Sequence, residues 1–215
     1  DAVAASGVAS RIVVSIEDAA LARRLLGDGV ETILPAKSAP ASVIAALDLA
    51  KVQFPLLITT CDHALLTPEM LRHFCAGAEA AGADFCAGIV RAETIRTAYP
   101  ETVRTITRLG KDHIKGTNLF SVHDRKAVRL LERWQYLEHV RKKPWRLVAA
   151  FGILPLLQFV AGTISLDKAF ATVSRKLGIT AKPIMMPFAE AAIDVDKPSD
   201  YALAEAILKR RSAPA

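Results

Sequence analysis

Residues 54–69, FPLLITTCDHALLTPE, decide the fold. The run from Phe54 to Thr60 is apolar with no alternation, the pattern of a parallel strand covered on both faces. Thr67-Pro68-Glu69 then marks a helix start. It offers a hydroxyl for a first-turn amide, a proline whose missing N–H is not needed there, and an acid beside the positive end of the helix dipole. That helix is expected to reach residue 81, with the next strand from Ala83 to Val90.

The same alternation extends towards the N-terminus. Residues 1–8 read as the end of a helix closed by Gly7, Arg11–Ile16 as a strand, and 18–26 as a helix stopped by Gly27 and Gly29. Val30–Leu34 reads as a strand, and Ser42 as the cap of a helix over 43–51. Repeated strand–helix–strand units predict an α/β fold with an open, mostly parallel sheet. Towards the C-terminus, Arg104–Leu109 and His113–Val122 read as strands around a Gly110-Lys111-Asp112 turn. Helices are expected over 125–142, 145–160 and Ser165–Leu177, strands over 180–186 and 191–196, and a last helix from Pro198. The reading is one domain over 1–215, carrying a helical insertion at 124–178.

Composition narrows the functional classes. Across 215 residues, 52% hydrophobic and 23% charged residues exclude a disordered chain. The mean hydropathy of +0.27 directs attention to 147–162 (LVAAFGILPLLQFVAG), which follows Arg141, Lys142, Lys143 and Arg146. Pro155 and Gln158 interrupt this run, and it is too short to span a bilayer. It reads as a buried helix or helical hairpin and leaves room for weak association with a membrane surface. Cys61, Cys75 and Cys86 form neither a disulfide framework nor a zinc spacing, and with no visible signal peptide they suit a cytoplasmic protein. The net charge of +6 suits a polyphosphate ligand. With 6% aromatics and no nucleic-acid module, a nucleic-acid partner is not expected. The sequence has no G-x-S-x-G elbow and no P-loop.

In open α/β sheets ligands bind beyond the carboxyl ends of the strands. Asp62 falls just past such an end, where a carboxylate either takes Mg²⁺ or ties down the loop before Thr67. In Ala192–Asp200 (AIDVDKPSD) a strand would put Asp194 and Asp196 on one face. Their mutual repulsion calls for a cation, one shared with Asp62, or for basic groups between them; alternatively Asp196 caps the helix begun at Pro198. Lys115-Gly116-Thr117-Asn118 combines a glycine that admits a close approach with two hydrogen-bonding side chains. Lys37-Ser38 to Ser42 leads small residues into a helix N-terminus suited to a base or phosphate.

Together these segments resemble the molybdenum-cofactor-guanylyltransferase-like (MobA-like) nucleotidyltransferases. PLLITTCDHALLTPEML resembles their metal-site stretch, and AAIDVDKPSDYALAEAIL their closing strand and helix, with Asp194 and Asp196 at two asparagine positions. KSAPASVIAAL is similar to their base-binding loop, and KGTNLF to the segment lining the acceptor pocket. The resemblance implies a Rossmann-like, glycosyltransferase-A-like three-layer sandwich. It implies transfer of an NMP from CTP or GTP to a small phosphorylated acceptor, with release of pyrophosphate and Mg²⁺ as cofactor. On this reading Asp62 and Lys115 are catalytic, and Asp62, Asp194 and Asp196 hold the metal. Lys37, Ser38, Ser42, Thr60, Gly116, Thr117 and Asn118 bind substrate. The family's Gly-rich triphosphate loop has no counterpart in these residues, so either that loop and its strand are expected ahead of Asp1 or triphosphate binding has been lost. A nucleotide-sugar glycosyltransferase and an inactive nucleotide-binding domain are the alternatives on the same fold.

Overall fold

A computed structural model describes residues 2–27, 30–49, 51–102, 104–140 and 152–212. Gly29, the basic group at 141–146 and the first five residues of the 147–162 run lie outside the described residues.

The short helix α1 (Ala2–Ser6) ends at Gly7, which takes a left-handed φ of 69°. Strands β1 (Val13–Ser15) and β2 (Glu31–Ile33) pair in parallel as a small sheet. Between them runs α2 (Ala19–Leu26), capped by the Asp18 side chain. Helix α3 (Ala39–Leu49) starts earlier than its sequence suggests. Ser42 lies inside it and is not the cap; the Ser38 hydroxyl accepts from Ala41 N at 3.4 Å instead. Two serines four residues apart offered the same capping chemistry, and the earlier one took it.

The main sheet holds β3 (Leu56–Ile58), β6 (Asp112–Val122), β4 (Phe85–Arg91) and β7 (Ala181–Met185) in that order, with β5 (Thr107–Leu109) also paired to β6. Strand β4 runs parallel to β7, while β6 is antiparallel to β3, β4 and β5. Only β6 therefore opposes the common direction. The three residues of β3 are half-buried rather than fully enclosed, because β3 pairs on one side only, with β6. At the starts of β4 and β7, Asp84 Oδ2 accepts from Thr180 N at 2.6 Å and from its hydroxyl at 2.8 Å.

Helix α4 (Pro68–Ala81) begins at the Thr67 cap and ends at a left-handed Gly82. Its Met70, Leu71, Phe74 and Ala78 pack on Cys86, Val90 and Leu119 of the sheet. Full burial of Leu71 and Phe74 contributes about 2 kcal/mol each. On the opposite face, Phe85, Ala87 and Val122 meet Phe170, Val173 and Leu177. Those three belong to α8 (Leu166–Leu177), capped by Ser165. The helix α6 (Val128–Val140) lies between β6 and α7 (Ile153–Val160) in the chain. These layers make the three-layer α/β sandwich.

Two further elements depart from expectation. A helix α5 (Ala92–Ala98) follows β4 directly. Residues 191–196 form no strand: a 3₁₀ turn covers Ala189–Ala192, and the chain then runs extended without a ladder. Its backbone is held from elsewhere, with Val195 N donating to Asp62 O at 3.0 Å. The last helix, α9 (Pro198–Ser212), closes the fold.

Candidate functional site

Strand β3 ends at Ile58, and the chain turns away through Thr59–His63. In that turn the Thr60 hydroxyl donates to Asp62 Oδ1. The Asp62 carbonyl takes the Val195 amide, which brings residues 193–195 against the strand end. Because β6 opposes β3, its first half lies beyond the carboxyl end of β3 and carries Lys115 there. Lys115 Nζ meets Asp194 Oδ2 at 3.1 Å. Arg104 Nη1 reaches Asp194 Oδ1 at 3.5 Å, the Asp194 carbonyl at 3.1 Å and Asp200 Oδ1 at 3.0 Å.

Two cations and two carboxylates thus alternate in one chain, Lys115–Asp194–Arg104–Asp200. Side-chain exposure is 6% for Arg104, 7% for Asp200, 15% for Lys115 and 19% for Asp194. Desolvating four such charges is tolerable only when each has an opposite neighbour and its hydrogen-bonding capacity is met. The first condition holds and the second does not. Arg104 Nε and Nη2 are buried without a partner. Among the described residues, the other buried side-chain polar atoms lacking one belong to Thr59, His63 and Thr117, all at this end of the sheet. Native proteins leave few such atoms, so their concentration in one place marks it out.

His63 is buried, with its ring close to the backbone of Glu190 and Ala191 but out of hydrogen-bond geometry. Burial pushes its pKa below the ordinary histidine value, against the opposing pull of the Asp62 and Asp194 carboxylates. Nearby, Tyr99 donates to Glu190 Oε1 at 2.7 Å. Burial, and then that bond, raise the phenol to about 12.

On β6 the pairing with β4 shifts register between Ala87 and Ile89, and Asn118 takes a left-handed φ of 52°, which asparagine tolerates better than most residues. A Cβ on Gly88 would overlap the Thr117 hydroxyl, so the glycine is what admits that side chain. Gly116 is exposed, its φ is ordinary, and a Cβ there would meet nothing within 4 Å. Its backbone therefore faces free space.

The structure brings together Asp62, Thr60, Lys115 and Asp194, with Gly116, Thr117 and Asn118 following Lys115 on β6. Asp196 stays apart: it is exposed, and its amide donates to Asp200 Oδ2 at 3.2 Å. Residues 193–196 join no strand, and Lys115 and Arg104 neutralise Asp194. At the other end of the Ser/Ala/Pro loop, Lys37 is exposed, and the Ser42 hydroxyl is engaged with Ala36 N at 2.9 Å and Ser38 O at 3.1 Å. Among the described residues, no hydrogen bond or ion pair joins Lys37, Ser38 or Ser42 to the Asp62 group.

Sequence reasoning missed Arg104 and Asp200. For Asp200 a signal existed: an acid in the first turn of a proline-led helix can reach back to preceding amides, and it accepts from Asp196 N and Lys197 N.

Asp62 and Asp194 are hard oxygen donors, both near enough to His63 to bear on its protonation. Among the described residues no three His, Cys, Asp or Glu side chains gather into a cage.

A family model for the MobA-like NTP transferase domain matches residues 1–150. Among solved structures, a hypothetical transferase from Thermus thermophilus superposes with a TM-score of 0.76 at 28% sequence identity, covering 93% of this chain and 82% of that one. No curated protein matches the chain.

Proposed function

The chain belongs to the MobA-like NTP transferase domain family, and we propose that it moves a nucleoside monophosphate from CTP or GTP to a small phosphorylated acceptor. An oxygen of the acceptor's phosphate bonds to the α-phosphorus, the bond to the α–β bridging oxygen breaks, and its electron pair leaves on pyrophosphate. Such a reaction needs in-line positioning and neutralisation of charge more than covalent help from the protein. The observation that carries the reading is the meeting of Asp62 with the Lys115–Asp194 pair at the carboxyl end of β3.

Each group has a distinct part. Asp62 would hold Mg²⁺, with Asp194 sharing an oxygen between the ion and one of its basic partners, and the ion would supply neutralisation of the triphosphate. Lys115, aimed by Asp194 and only partly exposed, stabilises negative charge more strongly than a lysine in open water. Arg104 positions Asp194 from behind and does not itself touch substrate. The open side of Gly116 leaves room for the acceptor, with Thr117 and Asn118 beside it.

The test is pyrophosphate release from each of the four nucleoside triphosphates with Mg²⁺ across phosphorylated acceptors. Asp62→Asn should lower turnover at least about a hundredfold with an unchanged melting curve. Failure of every triphosphate would overturn the reading, and hydrolysis of a nucleotide sugar in its place would favour glycosyl transfer.

A further inference from the structure

Helix α7 (ILPLLQFV) is turned the wrong way for a soluble protein. At helical spacing Ile153, Leu157 and Val160 form one stripe with Leu154 at its edge, and these four are 63%, 58%, 77% and 62% exposed. Pro155 and Gln158 are half-buried, and no residue of the helix is fully buried. The helix is nonetheless fixed to the body at its far end. Gly110 N donates to Gly162 O at 2.8 Å, and Ile164 sits in a buried cluster with Leu109 and Ile114. An apolar stripe is therefore displayed on a tethered element.

Basic side chains bracket it. A Cβ on Gly152, just before the helix, would lie 4.0 Å from Lys176 Nζ; one on Gly162, just after it, would lie 3.7 Å from the Arg108 side chain. Lys176 and Arg108 are both exposed. The sequence from 152 to 165 contains no acid. On α8, Asp167 stands against Lys168, Arg175 and Lys176.

We propose that α7 docks this protein on an anionic phospholipid surface, its leucine–isoleucine stripe entering the headgroup boundary while Arg108 and Lys176 at its two ends meet lipid phosphates. Among the described residues no helix is long and apolar enough to cross a membrane, so the contact is peripheral. A second copy of the chain is the poorer occupant. An eight-residue helix about 12 Å long and about 10 Å wide presents a face of about 120 Å², small beside the roughly 600 Å² per partner that a stable interface buries. Two-fold pairing would also set like charges against each other. A bilayer has no such minimum, and each basic residue near an anionic surface strengthens binding about fivefold.

The experiment is co-sedimentation of the purified protein with phosphatidylglycerol–phosphatidylcholine vesicles and with phosphatidylcholine alone. Binding is expected to the first, and at least about tenfold weaker to the second and in high salt. Leu154→Ser/Leu157→Ser and, separately, Arg108→Glu/Lys176→Glu should each weaken it at least about tenfold, with melting curves confirming that both variants fold. Equal binding to both vesicles, no binding to either, or binding indifferent to the leucine variant overturns the proposal. So does a dimer seen by light scattering that the leucine variant dissolves without any vesicle binding. Pyrophosphate release is not read in these assays, so their outcome is separate from that of the transferase reading.

Discussion

The carboxyl end of the main sheet and helix α7 break the same rule in opposite directions. At the first, Arg104 and Asp200 are desolvated almost completely; at the second, Ile153, Leu154, Leu157 and Val160 stand in water. Water sorts side chains the other way, so each place carries a cost that packing alone does not explain. The difference between them lies in compensation. The buried charges are met by one another inside the chain, while the exposed stripe has nothing of comparable character against it among the described residues. The first region is complete enough to shape a site, and the second calls for something outside the molecule.

Replacing Arg104 by Met tests the first half of this contrast most severely. Two carboxylates would lose a desolvated partner, and a loss of about 3 kcal/mol is expected from urea denaturation; an unchanged midpoint would mean that solvent reaches these charges. Gly88→Ala pushes on the buried Thr117 hydroxyl from behind and should cost about 2 kcal/mol by the same measurement. Asp84 is an intermediate case, a carboxylate near the surface. Partial desolvation works to raise its pKa, but hydrogen bonds from Thr180 and Lys126 prevail and hold it below 3.8. A lowered carboxyl contributes its full stabilisation above the unfolded value and loses it as pH falls through the folded one. Asp84→Asn should therefore cost about 1 kcal/mol at neutral pH, with the gap to wild type narrowing as pH falls below 3.8. The smallest effect belongs to the apolar region. Leu157→Ser should leave the melting curve within about 0.5 kcal/mol of wild type, since the side chain is 58% exposed; a large loss would show that α7 already has a partner within the chain.

What could be read from the sequence followed the range of the interactions involved. Thr67-Pro68-Glu69 announces α4 because capping is settled within one turn, and the structure has that cap. The position of Asp62 follows from a strand end in the same few residues. Arg104 could be seen only as part of the basic excess, because its partners lie ninety or more residues away in the chain. The alternation at Ile193–Asp196 misled for a related reason. A period of two requires only extended backbone, whereas a strand also needs a neighbour with a free edge. Here the backbone partners are a loop carbonyl at Asp62 and the Arg104 guanidinium. Helix α5 went unseen because seven residues directly after a strand give too little pattern to distinguish from a loop.

Helix α9 couples the two halves of the candidate site. Asp200, near the start of α9, closes on Arg104, and Arg211, near its end, reaches the Leu65 carbonyl at 3.1 Å and Glu190 at 3.7 Å. The helix works as a clasp fastened at both ends over the two loops that supply Asp62 and Asp194. Between those two fastenings Ala204 and Ile207 pack with Leu65 and Ile193, one residue from each loop. Loosening α9 would therefore release Asp62 and Asp194 together, so the two halves of the candidate site stand or fall with a helix that contributes no group to it.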